Sequence, residues 1–474
     1  MHKSKPVMIL KAFTSQDMKE FDKFVASPYY NKNEVLIKLF AILKKEYPEF
    51  DGPGIDREKV FFKLFNSKNF DESKLRYAFS DLSKLLEKYI IARELDKDKI
   101  KEDLLLLEFY KANDIEKYFN QTFDDTKKAL EATSKDSDYY FNKYLAEEIL
   151  FNYSSVKRDK SLDEVLQQVA DNLDSYYLSK KLKFYCEMYT RQNFLNSKYQ
   201  TRFLKEILAH IEYVGYQEYP AIIVYYYVLR TLLDEADESH YYKLLELLEK
   251  NEKFFNKEEM RDLYFLAQNY CTKKINQGDH ENAYLKEYFK LTNKLIDKEM
   301  IYENGYIIPS TFKNIVTVGL RLEEFDWTEN FIYAYKEKLA PKYKENAFTY
   351  NLAWLHFFKE EYKKTLRLLS NVEYMDVYYV LDSKILLLKT YFELDDADAF
   401  YSLIDPFYVY LRRNELISAY QKNICLNFVK FAKRLMRIKQ GDTKAAEKLI
   451  EEINETKQVA SISWLLKKAD QYVK

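Results

Sequence analysis

The histidines and cysteines are the residues of this chain best suited to metal or nucleophilic chemistry. They are His2, His210, His240, His280 and His356, with Cys186, Cys271 and Cys425. No two histidines have the four-residue helical spacing of paired zinc ligands, and none lies near a cysteine in the sequence. The scattered cysteines fit reduced core thiols better than a disulfide framework. The sequence therefore predicts no metal, no cofactor and no catalytic residue, and the chain is not expected to be an enzyme.

Two segments are candidates for phosphate contacts because they depart from the overall charge balance. Residues 176–205 contain seven basic side chains against one acid, with tyrosines and phenylalanines among them, and residues 411–439 contain eight against one. The second segment predicts a basic stripe on one helix, opposite an apolar face. The members of this stripe are Lys430, Lys433, Arg434 and Arg437. Such a stripe could follow a nucleic-acid backbone. Alternatively, it could be a solvated face whose charge balances that of acidic residues elsewhere in the array.

Helices must position these side chains, because the composition excludes most other folds. Glycine occurs 7 times and proline 8 times in 474 residues, together about 3% against an average of about 12%. Phosphate loops, Rossmann turns and β-hairpins depend on glycine. The 75 basic and 76 acidic residues almost cancel, so any nucleic-acid contact must be local. The apolar residues recur near a period of 3.6, which predicts an all-α protein.

Residues 1–95 predict a small N-terminal helical domain of four helices. Thr14 and Asp17 form a capping box at the start of its first helix. Residues 57–91 loosely resemble the helix-turn-helix that precedes repeat domains in some bacterial regulators, which implies DNA contacts from the second helix of the pair. Asp81 and Glu87 share the exposed surface of that helix and would repel phosphate. Further helices are predicted at 100–112, 115–133, 138–156, 162–172, 176–192, 199–214 and 220–235.

One layout of residues recurs in the second half of the chain. Its clearest copy, in residues 350–369, consists of Leu352, Ala353 and Phe357 in a first helix and Tyr362 and Thr365 in a second. Related layouts occur about 35 residues earlier, at Val318-Gly319, and about 35 residues later, at Leu387. From about residue 263 to 453 the chain therefore resembles tetratricopeptide repeats. The resemblance implies an α-solenoid of helical hairpins, and another kind of helical-hairpin array is the alternative.

The resemblance also implies a groove lined by the first helix of each repeat. The partner-binding residues on this surface would be Tyr350, Trp354, Phe358, Lys389 and Phe392. An aromatic strip with a lysine at its rim could hold a partner helix or an extended peptide. The same rings could instead be core between repeats, and for Trp354 and Phe357 this interpretation is favoured.

The predicted organisation has three regions: an N-terminal domain (1–95), an irregular helical-hairpin array (96–260), and tetratricopeptide-like repeats with C-terminal helices (261–474). The predicted function is a non-enzymatic scaffold or adaptor that binds a protein or peptide. The alternative is a nucleic-acid-binding regulator that uses 176–205, 411–439 and the N-terminal domain. The longest apolar run, 221–229, is too short for a membrane span, so a cytoplasmic location without membrane contact is expected. The partner's identity and the oligomeric state stay open.

Overall fold

A computed structural model of the chain describes residues 2–473, apart from Lys68, 158–161, 195–197, 279–281, 371–376, Leu416, Ser418 and Lys457. The described part of the chain contains 23 α-helices and no strand. The prediction of an all-α protein is therefore confirmed. His280, one of the histidines considered above, lies outside the described residues.

The N-terminal helices are α1 (Lys5–Lys11), α2 (Ser15–Ala26), α3 (Glu34–Lys44), α4 (Arg57–Phe65) and α5 (Glu72–Asp96). The capping box is confirmed, since the Asp17 amide donates to the Thr14 hydroxyl at 3.1 Å and the Thr14 amide donates to the Asp17 carboxylate at 2.8 Å. The prediction of four helices is wrong, because α1 is a fifth. Val7 and Leu10 of α1 are fully buried in a core shared with α2 to α5.

The next helices are α6 (Lys99–Ala112), α7 (Glu116–Glu131), α8 (Ser137–Lys157), α9 (Leu162–Phe194), α10 (Leu204–Val214) and α11 (Pro220–Leu233). Two predicted helices merge into α9. The helix continues through the polar junction, where the Ser175 hydroxyl donates to the Asp171 carbonyl at 2.7 Å, one turn back. The helix expected from residue 199 begins only at Leu204, because Phe203 has the left-handed φ of 65°.

The remaining helices are α12 (Ser239–Asn251), α13 (Lys257–Gly278), α14 (Ala283–Asp297), α15 (Pro309–Arg321), α16 (Phe325–Ala334), α17 (Lys344–Phe358), α18 (Tyr362–Leu369), α19 (Val377–Glu393), α20 (Ala397–Arg413), α21 (Ala419–Leu435), α22 (Thr443–Glu455) and α23 (Ile462–Asp470). Each of them packs against the next one along the chain.

The chain divides into two compact units, Met1–Tyr226 and Tyr227–Lys474. The first unit contains one core formed by α1 to α5 and another around Leu107 and Phe119. The second contains a core from Leu381 to Ala469 and a smaller one around Tyr350. None of the described helices combines the length and the apolar character that crossing a membrane requires.

Candidate functional sites

The residues expected to line a groove are packed inside the second unit. Tyr350 is fully buried, and Trp354, Phe358 and Phe392 are half-buried. Lys389 is 5% exposed, so the expectation that it lies at a rim is wrong. The physical reason is that α17 packs against α19, and Trp464 of α23 packs against the same cluster, so the aromatic rings enclose the lysine. The strip is therefore core between helices, as the alternative interpretation held for Trp354 and Phe357.

Lys389 lies in a cage of three rings. Its Nζ is 4.6 Å from the ring centre of Phe357, 4.9 Å from that of Trp354 and 5.6 Å from that of Trp464. Burial lowers the pKa of Lys389 to about 7, because the ammonium form loses its water. The nearby Glu393 carboxylate raises this pKa and the Lys468 ammonium lowers it, but both effects are smaller. Sequence reasoning missed the cage because Trp464 is about 75 residues from Lys389.

An ion pair joins α23 to α19 beside this cage. Lys468 Nζ lies 2.6 Å from the Glu393 carboxylate, and Trp464 Nε1 donates to the same carboxylate at 2.7 Å. The side chains of Glu393 and Lys468 are 9% and 14% exposed. Burial raises the pKa of the Tyr362 phenol above its usual value, and the negative charge of Glu393 raises it further by a smaller amount. The arrangement holds the C-terminal helix α23 in place with buried charges and rings.

The basic stripe of 411–439 does not form one uninterrupted cationic surface. Lys430 and Arg434 both pair with Glu452 of α22, and Lys433 lies 3.6 Å from Asp405 of α20. The expectation of a single helical stripe is wrong at Arg437, because α21 ends at Leu435. The opposite face is apolar as predicted, since Phe428, Phe431, Ala432 and Leu435 are all fully buried.

The basic segment 176–205 is more open. Its exposed cations are Lys183, Arg191, Lys198, Arg202 and Lys205. Its exposed rings are Tyr177, Phe184, Tyr199 and Phe203, at 41%, 58%, 38% and 62% of their surfaces. Two of the basic side chains in this segment form ion pairs. Arg191 Nε lies 2.5 Å from the Glu187 carboxylate, and Lys180 Nζ lies 2.9 Å from the Asp138 carboxylate.

The helix-turn-helix-like segment corresponds to α4 and α5, and its expected DNA contacts stay a prediction. On the exposed surface of α5, Lys84 pairs with Asp81 at 3.0 Å and Glu87 pairs with Lys5 of α1. These pairs reduce the positive charge available for phosphate on that helix.

Sequence reasoning missed an exposed apolar face on α6. Leu105, Leu106 and Phe109 are 59%, 39% and 58% exposed, and Tyr118 of α7 is 51% exposed. The rings form a continuous series, since the centre of Tyr110 lies 6.0 Å from that of Phe109 and 6.1 Å from that of Tyr118. The four consecutive leucines at 104–107 were the available signal, because a helix that is apolar on all sides is normally covered on all sides.

Three potential metal ligands, spaced three positions apart in the sequence, come together after α11. Ligand atoms of Asp234, Asp237 and His240 lie within 4.8 Å of one another. The Arg230 guanidinium donates to His240 Nε2 at 3.2 Å. A cation there would have to displace the guanidinium, so the trio gives no support for a metal site.

The cysteines are buried free thiols, as the sequence analysis expected. Burial raises the pKa of the Cys425 thiol to about 12 and that of Cys186 above its usual value. Thiolate chemistry is therefore disfavoured at both residues.

Comparison with known proteins adds no assignment: no family model, no curated protein and no solved structure matches the chain.

Proposed function

We propose that this protein is a non-enzymatic scaffold that binds a partner protein through the apolar face of α6 and α7, defined by Leu105, Leu106, Phe109 and Tyr118. The exposure of this face is the observation that carries the proposal. Contiguous exposed apolar groups of this kind mark interaction surfaces, since leaving them in water is unfavourable. Aromatic anchors contribute most to the energy of such interfaces.

The packing beneath this face favours a preformed surface. Leu107 and Phe119 are fully buried, and the Phe119 ring lies 4.2 Å from that of Tyr153 on α8. The buried side of α6 and α7 is thus fixed while the outer rings remain open. A rigid surface loses little conformational entropy on binding, which favours affinity.

The scaffold proposal includes a tetratricopeptide-like array in the second unit. Support comes from the order of helix packing, since α15, α17, α19, α21 and α23 pack each against the next in that order. Stacked repeats contact their neighbours in this way. Close approach supports it at α15 and α16, where a Cβ on Gly319 would lie 2.2 Å from Thr328 Oγ1. We include a cytoplasmic location in the proposal because the three thiols are free.

Affinity purification of Phe109→Ser from the native host tests the proposal. Phe184→Ser is a matched control, because both rings are 58% exposed and both lie in the first unit. We expect Phe109→Ser to lose a protein that the wild type and the control retain, at an unchanged melting temperature. Equal partner sets for all three proteins would reject α6 as the binding surface.

Single-stranded nucleic acid is the second candidate ligand, and the exposed rings and cations of 176–205 favour it. Bases stack on exposed aromatic side chains while cations follow the backbone. Fluorescence anisotropy with a labelled oligonucleotide tests this function. We expect Phe184→Ser to bind about tenfold more weakly than Phe109→Ser, with affinity falling steeply as salt rises. Equal affinities for the two variants would reject this surface.

A further inference from the structure

A cavity in the N-terminal region lies between the residues that precede α1 and the helices α4 and α5. Its volume is about 550 Å³, and it is lined by His2, Lys3, Ser4, Arg57, Glu72, Leu75, Arg76 and Phe79. Cavities of this size accommodate small organic ligands. The lining divides into a charged rim and an apolar floor.

The rim is cationic. Arg57 and Glu72 form an ion pair at 2.7 Å, in which both side chains are more than half exposed. Lys3 and Arg76 are exposed, and among the described residues neither has an acidic side chain within ion-pair distance. After the pair cancels, two positive charges remain at the opening. A negative group would therefore be attracted there, and more strongly at low salt.

The floor is apolar and rigid. Leu75 and Phe79 are 4% and 8% exposed and belong to the core of the N-terminal helices. They lie one turn apart on α5, so both face the same side of the helix. An apolar group that enters the cavity would replace water against this surface.

One of the lining residues carries a buried hydroxyl. Ser4 lines the cavity, and its Oγ is buried with no hydrogen-bond partner in the described structure. Buried polar atoms are usually hydrogen-bonded, so an unpaired one indicates a place where a ligand or water supplies the partner. A ligand with acceptor oxygens near the rim could accept this hydrogen bond.

We propose that this cavity binds a small amphipathic anion, a carboxylate or phosphate group on a short apolar body, with the anionic group at Arg57, Arg76 and Lys3 and the apolar body over Leu75 and Phe79. The site is separate from the apolar face of α6 and α7, so it can fail without affecting the scaffold proposal. A carboxylate and a phosphate ester share the required chemistry.

Isothermal titration calorimetry with the full chain tests the class of ligand. The probes are octanoate, octyl phosphate, butanoate, octylammonium and inorganic phosphate, each below its micelle concentration. Each fully buried methylene is worth about fourfold in affinity, so octanoate should bind at least tenfold more tightly than butanoate. We expect octyl phosphate and octanoate to bind and octylammonium to bind at least tenfold more weakly. Equal binding of octyl phosphate and inorganic phosphate would overturn the apolar floor, and no binding of either octyl anion would overturn the site.

Two variants locate the anionic group. Arg76→Gln should weaken octanoate about five- to tenfold and reduce the dependence of binding on salt. Arg191→Gln is the control, because Arg191 is also an exposed arginine of the first unit and lies outside the cavity. Ser4→Ala should leave the melting temperature of the free protein unchanged or higher and should weaken octanoate several-fold. Full octanoate affinity in both Arg76→Gln and Ser4→Ala would overturn the proposed placement.

Discussion

Replacing Lys389 by methionine should stabilise the protein more at pH 6 than at pH 9. Methionine has nearly the same length and keeps the contacts with the three rings, but it has no ammonium group. The pKa of Lys389 is about 7 in the folded chain, against 10.5 for an ordinary lysine. Between these two values the unfolded chain binds more protons than the folded chain. The free energy of unfolding therefore rises with pH in this window and is lowest below pH 7.

The magnitude follows from the size of this pKa shift. One pKa unit corresponds to about 1.4 kcal/mol, so burying the charged lysine costs about 5 kcal/mol below pH 7. From pH 6 to pH 9, the wild type regains about 2.6 kcal/mol of this cost. The rings act in the opposite direction, since each cation–π contact contributes about 0.5 to 1 kcal/mol. With about 2 kcal/mol from the rings, the gain between the two pH values falls to about 1 kcal/mol.

Urea unfolding at pH 6 and pH 9 measures this difference. Tryptophan fluorescence is the appropriate signal, because Trp354 and Trp464 are two of the three tryptophans and both contact Lys389. Lys363→Met is the control, since Lys363 is exposed on the neighbouring helix α18. We expect the stability advantage of Lys389→Met over wild type to shrink by about 1 to 2.6 kcal/mol as the pH rises. The control should show no such change.

An equal advantage of Lys389→Met at both pH values, or no advantage at either, would contradict this prediction. That result would mean that the ring contacts offset the lost hydration completely, or that water reaches the ammonium. A loss of stability in Lys389→Met at pH 6 would mean that the charged lysine holds the helices together through Glu393.

Three further predictions concern stability and are measured by urea unfolding. Gly319→Ala should lower the free energy of unfolding by about 1 to 3 kcal/mol despite the better helix propensity of alanine, because its Cβ would overlap Thr328 Oγ1. In a Thr328→Ala background most of this loss should disappear. Equal losses with Thr328 and with Ala at position 328 would contradict the close approach. Thr14→Ala should cost about 1 kcal/mol through loss of the capping box at α2, and no cost would contradict the capping role. Arg434→Glu should lower the free energy of unfolding by about 1 kcal/mol, because the new carboxylate would lie beside that of Glu452. Arg437→Glu should change the free energy of unfolding by less than about 0.5 kcal/mol. Equal changes in the two variants would contradict the pairing of Arg434 with Glu452.

The sequence by itself determined the fold class and most helix boundaries. Scarce glycine and proline, together with the 3.6-residue period, are local properties that do not depend on what packs against a helix. The capping box at Thr14 and Asp17 is local for the same reason, because its bonds join residues three positions apart. Where local signals were weak, the structure differed from the predicted helix boundaries. Helix α9 continues through Ser175, and α10 begins only after Phe203, whose backbone is left-handed.

The tertiary structure alone decided which side chains are exposed. Helical spacing places residues on one face but does not say whether another helix covers that face. Lys389 has the spacing of a rim residue, but α23, about 75 positions later, closes its cage with Trp464. Phe109 lies in an apolar run typical of a core helix, but no described element covers its ring. The groove predicted around Lys389 therefore lies where helices pack together. The exposed face around Phe109 lies where the apolar pattern alone predicts burial. Both differences arise because exposure depends on contacts between residues far apart in sequence.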